Sequence, residues 1–185
     1  MKKIIFSMFF VLYSFAFAQV KNISDIKTIS LVVQEKTFIN KKSEEKVYNI
    51  KYVVPNLMRK EMLEPKSHAG EVFIYVDDTK KTYLPIFDQV IEDKAQPEEN
   101  LIIDTIVLLQ NKDRKDEKFR KLYNSGKLVR IRNENITIEP QKMELIEGYY
   151  IPVFIKIFDG DILAAEIVLK DVKINQNIDR KEFEL

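Results

Sequence analysis

Between Ile29 and Leu84 apolar residues recur mostly at every second position, the period of a strand with one face turned inward. The clearest case is KVYNIKYVV, where Tyr48, Ile50, Tyr52 and Val54 share one face and Asn49 and Lys51 the other. Upstream, Ile29 to Phe38 reads as a strand, and NKKSEE at Asn40 to Glu45 as a polar turn. Pro55-Asn56 ends the second strand, since proline has no N–H to give a ladder. LMRKEML follows as a short strand, and EPKSHAG turns the chain into GEVFIYVDDTKKTYLP. That stretch departs from simple alternation, because Val72, Ile74 and Val76 fill one face while Phe73 and Tyr75 fill the other. Both faces then need cover. Phe73 and Tyr75 are expected to face a cavity, and the other face to meet the N-terminal helix.

That helix is expected from Gln19 to about Thr28, where Ile23, Ile26 and Ile29 recur at a three-residue spacing. A second change of period comes after Ile86 and Phe87. AQPEENLIIDTIVLLQNKDRKDEKFRKLYNSGK has Pro97, Glu98 and Glu99 suited to a first helical turn. Gly126 suits a C-cap, with Arg120, Lys121 and Lys127 near the negative end. Ile102, Ile106 and Leu109 form one stripe, and Phe119, Leu122 and Tyr123 another. The charged run Lys112 to Lys118 marks either a break between two helices or the wet face of one. Beyond it, LVRIRNENITIEP, KMELIEGYYIPVFIKIF, DILAAEIVLKDVKIN and a terminal KEFEL read as strands, and Asp159-Gly160 is a strong hairpin signal. Other turns fall near Asn133, Glu147-Gly148 and Asn175. The order is a helix, about five strands, a helical insert and about five more strands, which is an α+β domain with a large antiparallel sheet.

The opening MKKIIFSMFFVLYSFAFA stands apart. Lys2 and Lys3, an apolar run from Ile4 to Phe15, and the small residues Ala16 and Ala18 match an export signal cleaved after Ala18. Its removal takes 18 of 185 residues and leaves 167, a length suited to one domain spanning 19–185. It also removes two lysines, so the formal net charge falls from +1 to −1. A near-neutral chain gives no electrostatic case for nucleic acid. With no cysteine, the fold rests on its core rather than on disulfides, and no lipid can be attached through a cysteine.

Catalytic signatures are sparse. The one histidine, His68, sits in a turn, so neither a zinc site nor another metal site is expected, and no cofactor is implied. The carboxylate pairs Glu44-Glu45, Asp77-Asp78 and Glu98-Glu99 fall in turns or at a helix start, where solvated charge is ordinary. Asp77-Asp78 beside Asp88 lacks the spacing of a calcium loop. Apolar and aromatic surface is in surplus instead, and a curved sheet with an apolar concave face needs side chains, a helix or a ligand to fill it.

The run from VVQEKTF through YNIKYVVPNLMRKEMLEP to GEVFIYVDDTKKTYLPIFDQV resembles the periplasmic outer-membrane lipoprotein carrier and sorting family (LolA-like). Gln34, Pro55-Asn56, Arg59-Lys60-Glu61, Phe73, Tyr75 and Tyr83-Leu84-Pro85 occupy matching places. ILAAEIVLKDVKIN followed by DRKEFEL resembles the family's last strands, and Val54 stands where its best-known carriers have an arginine. The resemblance implies an unclosed β-barrel with a hydrophobic concave side lidded by helices. It implies a periplasmic, non-enzymatic monomer that binds lipoprotein acyl chains or other lipid, taking cargo from an inner-membrane release complex to an outer-membrane acceptor. Tyr48, Ile50, Tyr52, Met58, Met62, Phe73, Tyr75 and Leu84 are the expected cavity residues, and Ile102, Ile106 and Leu109 the expected lid. The alternatives are an envelope protein–protein interaction or lipid-sensing module on the same fold, or an enzyme that uses Asp77, Asp88 and His68.

Overall fold

The computed structural model describes residues 20–39, 42–95, 101–133 and 135–185. The expected export signal and the helix-start residues Pro97 to Glu99 lie outside them. Ten antiparallel strands form one sheet that does not close into a barrel. Six precede the helices: β1 (Thr28–Ile39), β2 (Lys42–Val53), β3 (Leu57–Glu64), β4 (Val72–Val76), β5 (Thr79–Leu84) and β6 (Gln89–Lys94). Four follow: β7 (Ile131–Asn133), β8 (Ile136–Ile146), β9 (Tyr149–Asp159) and β10 (Ile162–Ile174).

The spatial order β6-β5-β4-β3-β2-β1-β10-β9-β8-β7 consists of two meanders joined where β1 pairs with β10. It follows that β6 and β7 are the two opposite edges. The chain between them has to cross the sheet, and that crossing carries helices α1 (Leu101–Lys115) and α2 (Glu117–Tyr123). The topology thus sets both helices over one face, where Ile103, Ile106, Leu109, Phe119 and Tyr123 join the main core. The charged run proves to be a break: Asp116 is the N-cap of α2 and accepts a hydrogen bond from the Phe119 N–H at 2.9 Å. The helix ends at Tyr123 with Asn124 as its C-cap, so Gly126 lies beyond the cap. Gly126 is still required there, since its φ is +73° and a Cβ would sit 2.6 Å from the Tyr150 ring.

Register partners show what the concave face contains. Leu169 of β10, Val33 of β1, Tyr48 of β2 and Met62 of β3 form one row across the sheet. A parallel row runs Leu31, Ile50, Lys60, Phe73, Thr82. β8 continues past Pro140 by way of irregular pairing on either side of Lys142, because proline interrupts a ladder.

Four sequence expectations change. The N-terminal helix is a single 3-10 turn, Ile23–Asp25, since Ile23 and Ile26 are both buried against the core and the rest of the segment runs extended. The 40–45 turn is shorter, with β2 already under way at Lys42. β6 adds a strand not read from the pattern. KEFEL is not a strand: Arg180–Phe183 is a 3-10 turn capped by Asp179, whose side chain accepts from the Lys181 N–H at 3.0 Å.

That last turn also corrects the cover assigned to β4. Val72 and Ile74 pack with Phe183, and with Ile178, Val53, Leu57 and Tyr83 around them. The covering element is therefore the C-terminal segment, not the N-terminal one, and Val76 is left 42% exposed. Tyr75 is buried in the main core on the opposite face and Phe73 packs against it. Lys51 pairs with Glu182, and Arg59 Nη1 donates to the Glu182 carbonyl at 3.1 Å, which fixes the tail to the convex side.

Candidate functional site

Beneath α1 lies an apolar cavity of about 30 Å³ that is partly open to solvent. Ile106 and Leu109 form its roof, Ile23 and Ile26 one wall, and Ile155, Ile157, Ile167 and Leu169 its floor, with Ile29, Thr105, Ile151 and Pro152 completing the lining. The floor is apolar because β9 and β10 present Ile155 opposite Ile167, and Ile157 opposite Ala165, across adjacent strands. A cavity needs roughly 10–15 Å³ to hold one water, but a water also needs polar partners, and this lining offers few. The space is thus dry and too small for a chain of many methylenes. Uptake of such a chain requires α1 to lift or the lining to repack.

The roof is tied down by polar contacts to the N-terminal turn. Gln110, 2% exposed, donates from Nε2 to the Ile26 carbonyl at 2.9 Å and to the Ile23 carbonyl at 3.3 Å. Asp113, fully buried, accepts from the Ser24 N–H at 3.2 Å. Asn124 Nδ2 donates to Asn22 Oδ1 at 2.9 Å. At the other end of that segment Asn175, in a left-handed conformation with φ 54°, accepts from the Lys27 N–H at 2.6 Å and donates to the Tyr149 hydroxyl at 2.9 Å. Residues 22–28, α1 and the end of β10 are thereby bound together. Sequence reasoning missed Gln110, Asp113 and Asn175 as positioning residues, the first two because they stand in or beside a charged run.

The expected cavity residues fall on the same concave face but mostly on its other half. Tyr48, Ile50, Tyr52, Met58, Met62 and Tyr75 are buried in the main core, and Phe73 is half-buried against it. Leu84 is half-buried and lies outside both apolar clusters. Ile106 and Leu109 line the cavity, whereas the side chain of Ile102 is outside the described residues. Val54, half-buried, packs into the core and makes that position apolar. His68 Nδ1 lies 2.9 Å from Glu71 Oε1 in an exposed turn. Asp77 accepts from Asn56, and Asp88 accepts from the Tyr83 hydroxyl at 3.1 Å, so each carboxylate buttresses a turn and the three do not converge. Among the described residues no group of three His, Cys, Asp or Glu could hold a metal ion, and no helix is long and apolar enough to cross a membrane.

Three buried phenols mark how dry this face is. Burial raises the Tyr52 hydroxyl to about 12, with the Asp104 carboxylate adding to it. Burial likewise holds Tyr48 and Tyr123 far above the usual phenol range, helped by Glu35 and Asp113 respectively. Unfolded tyrosines lose their protons near pH 10, while these keep theirs to pH 12 or beyond. Above pH 10 the unfolded state therefore binds fewer protons than the native state, and stability falls as pH rises. Thermal melts are expected to be level between pH 8 and 9.5 and to drop steeply from pH 10 to 12. The triple variant Tyr48→Phe/Tyr52→Phe/Tyr123→Phe should flatten that drop, and an unchanged slope would show that these phenols do not govern it.

No family model and no curated protein matches the chain. Solved structures do. A DUF1329 family protein from Desulfovibrio piger ATCC 29098 superposes with a TM-score of 0.58 at 11% identity, over 88% of this chain and 91% of that one. An outer membrane lipoprotein-sorting protein domain from Vibrio parahaemolyticus gives 0.55 at 8% identity, over 85% and 89%. A LolA superfamily protein from Nitrosomonas europaea gives 0.54 at 12% identity, over 91% and 94%. At such identities what is shared is the path of the backbone, an unclosed antiparallel sheet with helices across its concave face: the chain has the LolA-like fold.

Proposed function

We propose that this chain is an exported, non-enzymatic carrier that holds acyl chains of lipoproteins, or of other lipids, between the concave sheet face and α1. The observation that carries this reading is the dry recess roofed by Ile106 and Leu109 over Ile155, Ile157, Ile167 and Leu169. Burial of apolar surface stabilises by about 25 cal/mol per Å², so an alkyl chain gains from entering any space the roof yields. The fold shared with a lipoprotein-sorting domain supports the same reading. On this reading residues 1–18 direct export, residues 19–185 form the carrier, and the partners are membrane complexes that load and unload it. Tyr48, Ile50, Tyr52, Met58, Met62, Phe73, Tyr75 and Leu84 extend the binding face beyond the present cavity as the roof lifts. The two methionines suit that task because their flexible thioethers adapt to irregular ligands.

Native mass spectrometry of protein purified from a membrane-containing host is expected to show bound lipid, and the delipidated protein to take up an apolar fluorescent probe. Neither bound lipid nor probe uptake would favour a protein–protein interaction module and overturn the carrier reading.

A further inference from the structure

The two ends of the sheet carry turns of different chemistry. At one end β2 passes to β3 through Pro55-Asn56, β4 to β5 through Asp77-Asp78, and β8 to β9 through Glu147-Gly148, residues of the polar, proline and glycine kinds that turns favour. At the other end the β1–β2, β5–β6 and β9–β10 hairpins turn, and there stand Ile39, Ile86, Phe87 and Ile162, 63%, 78%, 66% and 73% exposed. These are the four most exposed large apolar side chains among the described residues. A single exposed apolar residue is ordinary on a protein surface. Four gathered on the tips of one end point to a partner. The core does not use them, since none joins either apolar cluster.

The tips are held outward by built turns. The Phe87 N–H donates to the Leu84 carbonyl at 3.1 Å and the Asp88 N–H to the Pro85 carbonyl at 3.4 Å, while the Tyr83 hydroxyl donates to Asp88. Pro85 is braced by residues 64–71, since a Cβ at Gly70 would lie 3.6 Å from its Cγ. Ile39 ends β1 and Ile162 begins its neighbour β10. β5 is four strands away from β1, so the two apolar pairs stand roughly 19 Å apart along the sheet at about 4.8 Å per strand.

That layout narrows the partner. Two separated pairs of side chains make a smaller surface than the ~800 Å² that each side of a standard protein interface buries, and the 64–71 loop lies between them. A fluid bilayer takes up separate apolar tips without needing a matching surface. The neighbouring charges are mixed, with Lys42 and Lys66 set against Glu64, Asp88, Asp159 and Asp161. Attraction to anionic lipid needs a basic cluster, and these turns do not form one.

We propose that this end of the sheet docks on a neutral phospholipid bilayer, with Ile39, Ile86, Phe87 and Ile162 entering its interfacial layer. The carrier reading names membrane complexes as partners, and here the bilayer itself becomes one. The tips and the cavity are independent features, so each reading can fail alone.

The test uses residues 19–185, which contain every described residue, and protein-free phosphatidylcholine vesicles. The chain has no tryptophan, so Phe87→Trp introduces a single reporter at a tip. Its emission is expected to shift to the blue when vesicles are added and to be quenched by brominated acyl chains. The unaltered protein should co-sediment with the vesicles, and Ile86→Ser/Phe87→Ser should lower that partition at least tenfold. Ile39→Ser/Ile162→Ser should lower it by a similar factor. Val76→Ser/Leu145→Ser, at positions 42% and 49% exposed near the opposite end, should leave it unchanged. Exposed substitutions of this kind leave folding intact, which thermal melts check.

Absence of both co-sedimentation and a blue shift would overturn the docking surface and leave the carrier reading standing. So would equal losses in the tip and opposite-end variants. Binding that requires phosphatidylglycerol and vanishes at high salt would show adsorption through charge and overturn the proposal. A dimer in solution that Ile86→Ser/Phe87→Ser dissociates would assign the tips to a second copy and overturn it as well. Docking by a protein that neither carries lipid nor takes up an apolar probe would support the surface and overturn the carrier reading alone.

Discussion

Phe183→Ala is expected to lower stability by about 3 kcal/mol, at the foot of the range for removing a buried phenylalanine side chain. For a chain of this length that corresponds to a melting temperature lower by roughly 6–12 °C. The reason lies in β4, which is buried on both sides although its sheet has only one helical layer. On one side Tyr75 joins the main core, and on the other Val72 and Ile74, 6% and 1% exposed, are covered by Phe183 and its neighbours. Removing the ring opens to water the convex cluster, whose members come from four strands, β2 to β5. The polar anchors of the same tail count for less. The Lys51 and Glu182 side chains are 38% and 36% exposed, and ion pairs so open to solvent contribute about 0–1 kcal/mol. Glu182→Gln should therefore shift the melt by only a few degrees. Thermal denaturation of the two variants side by side checks the order, and a Glu182→Gln loss as large as that of Phe183→Ala would refute it.

Strands buried on one face were legible because alternation is a local signal. β2 announces itself through Tyr48, Ile50 and Tyr52, each buried, with half-buried residues between them. β6 gave no such signal: every residue of QVIEDK is exposed, and an edge strand with no buried face has no period to read. KEFEL alternates like a strand, yet it has no free partner near it, and its single large apolar residue is satisfied by docking Phe183 on a finished sheet. The charged run Lys112 to Lys118 holds the break between the two helices, one of the two readings it allowed, but it also holds a buried carboxylate. Asp113 is fully buried there because it caps contacts with Ser24, a residue 89 positions away. The cavity has the same character. Its lining joins the N-terminal turn and the start of β1, α1, and the β9–β10 hairpin, three segments far apart in the sequence. The concave face as a whole could be anticipated from aromatic and methionine positions on β2 to β4. Where on that face space remains depends on how α1 seats against Ile23 and Ile26, which is a property of tertiary packing.

Ile167→Ala should separate the core from the site, because its two effects have opposite signs. Ile167 is 2% exposed and forms part of the cavity floor. Truncation of a buried isoleucine removes transfer energy and leaves a void, at a cost of about 2–5 kcal/mol. The void adjoins existing space, so it enlarges a recess instead of creating an isolated hole. An engineered apolar cavity of this kind stays dry and admits apolar ligands. The expected result is a protein that melts lower yet binds an apolar probe more tightly than the unaltered chain, and that regains part of its lost stability when the probe is present. A core residue remote from the recess, Ile74 on the convex side, provides the contrast: Ile74→Ala should cost comparable stability with no gain in probe binding. Equal probe affinity in the two variants would mean that the space under α1 is a packing defect and not a place where ligands enter. Tighter binding confined to Ile167→Ala would place the entering chain between α1 and the β9–β10 floor.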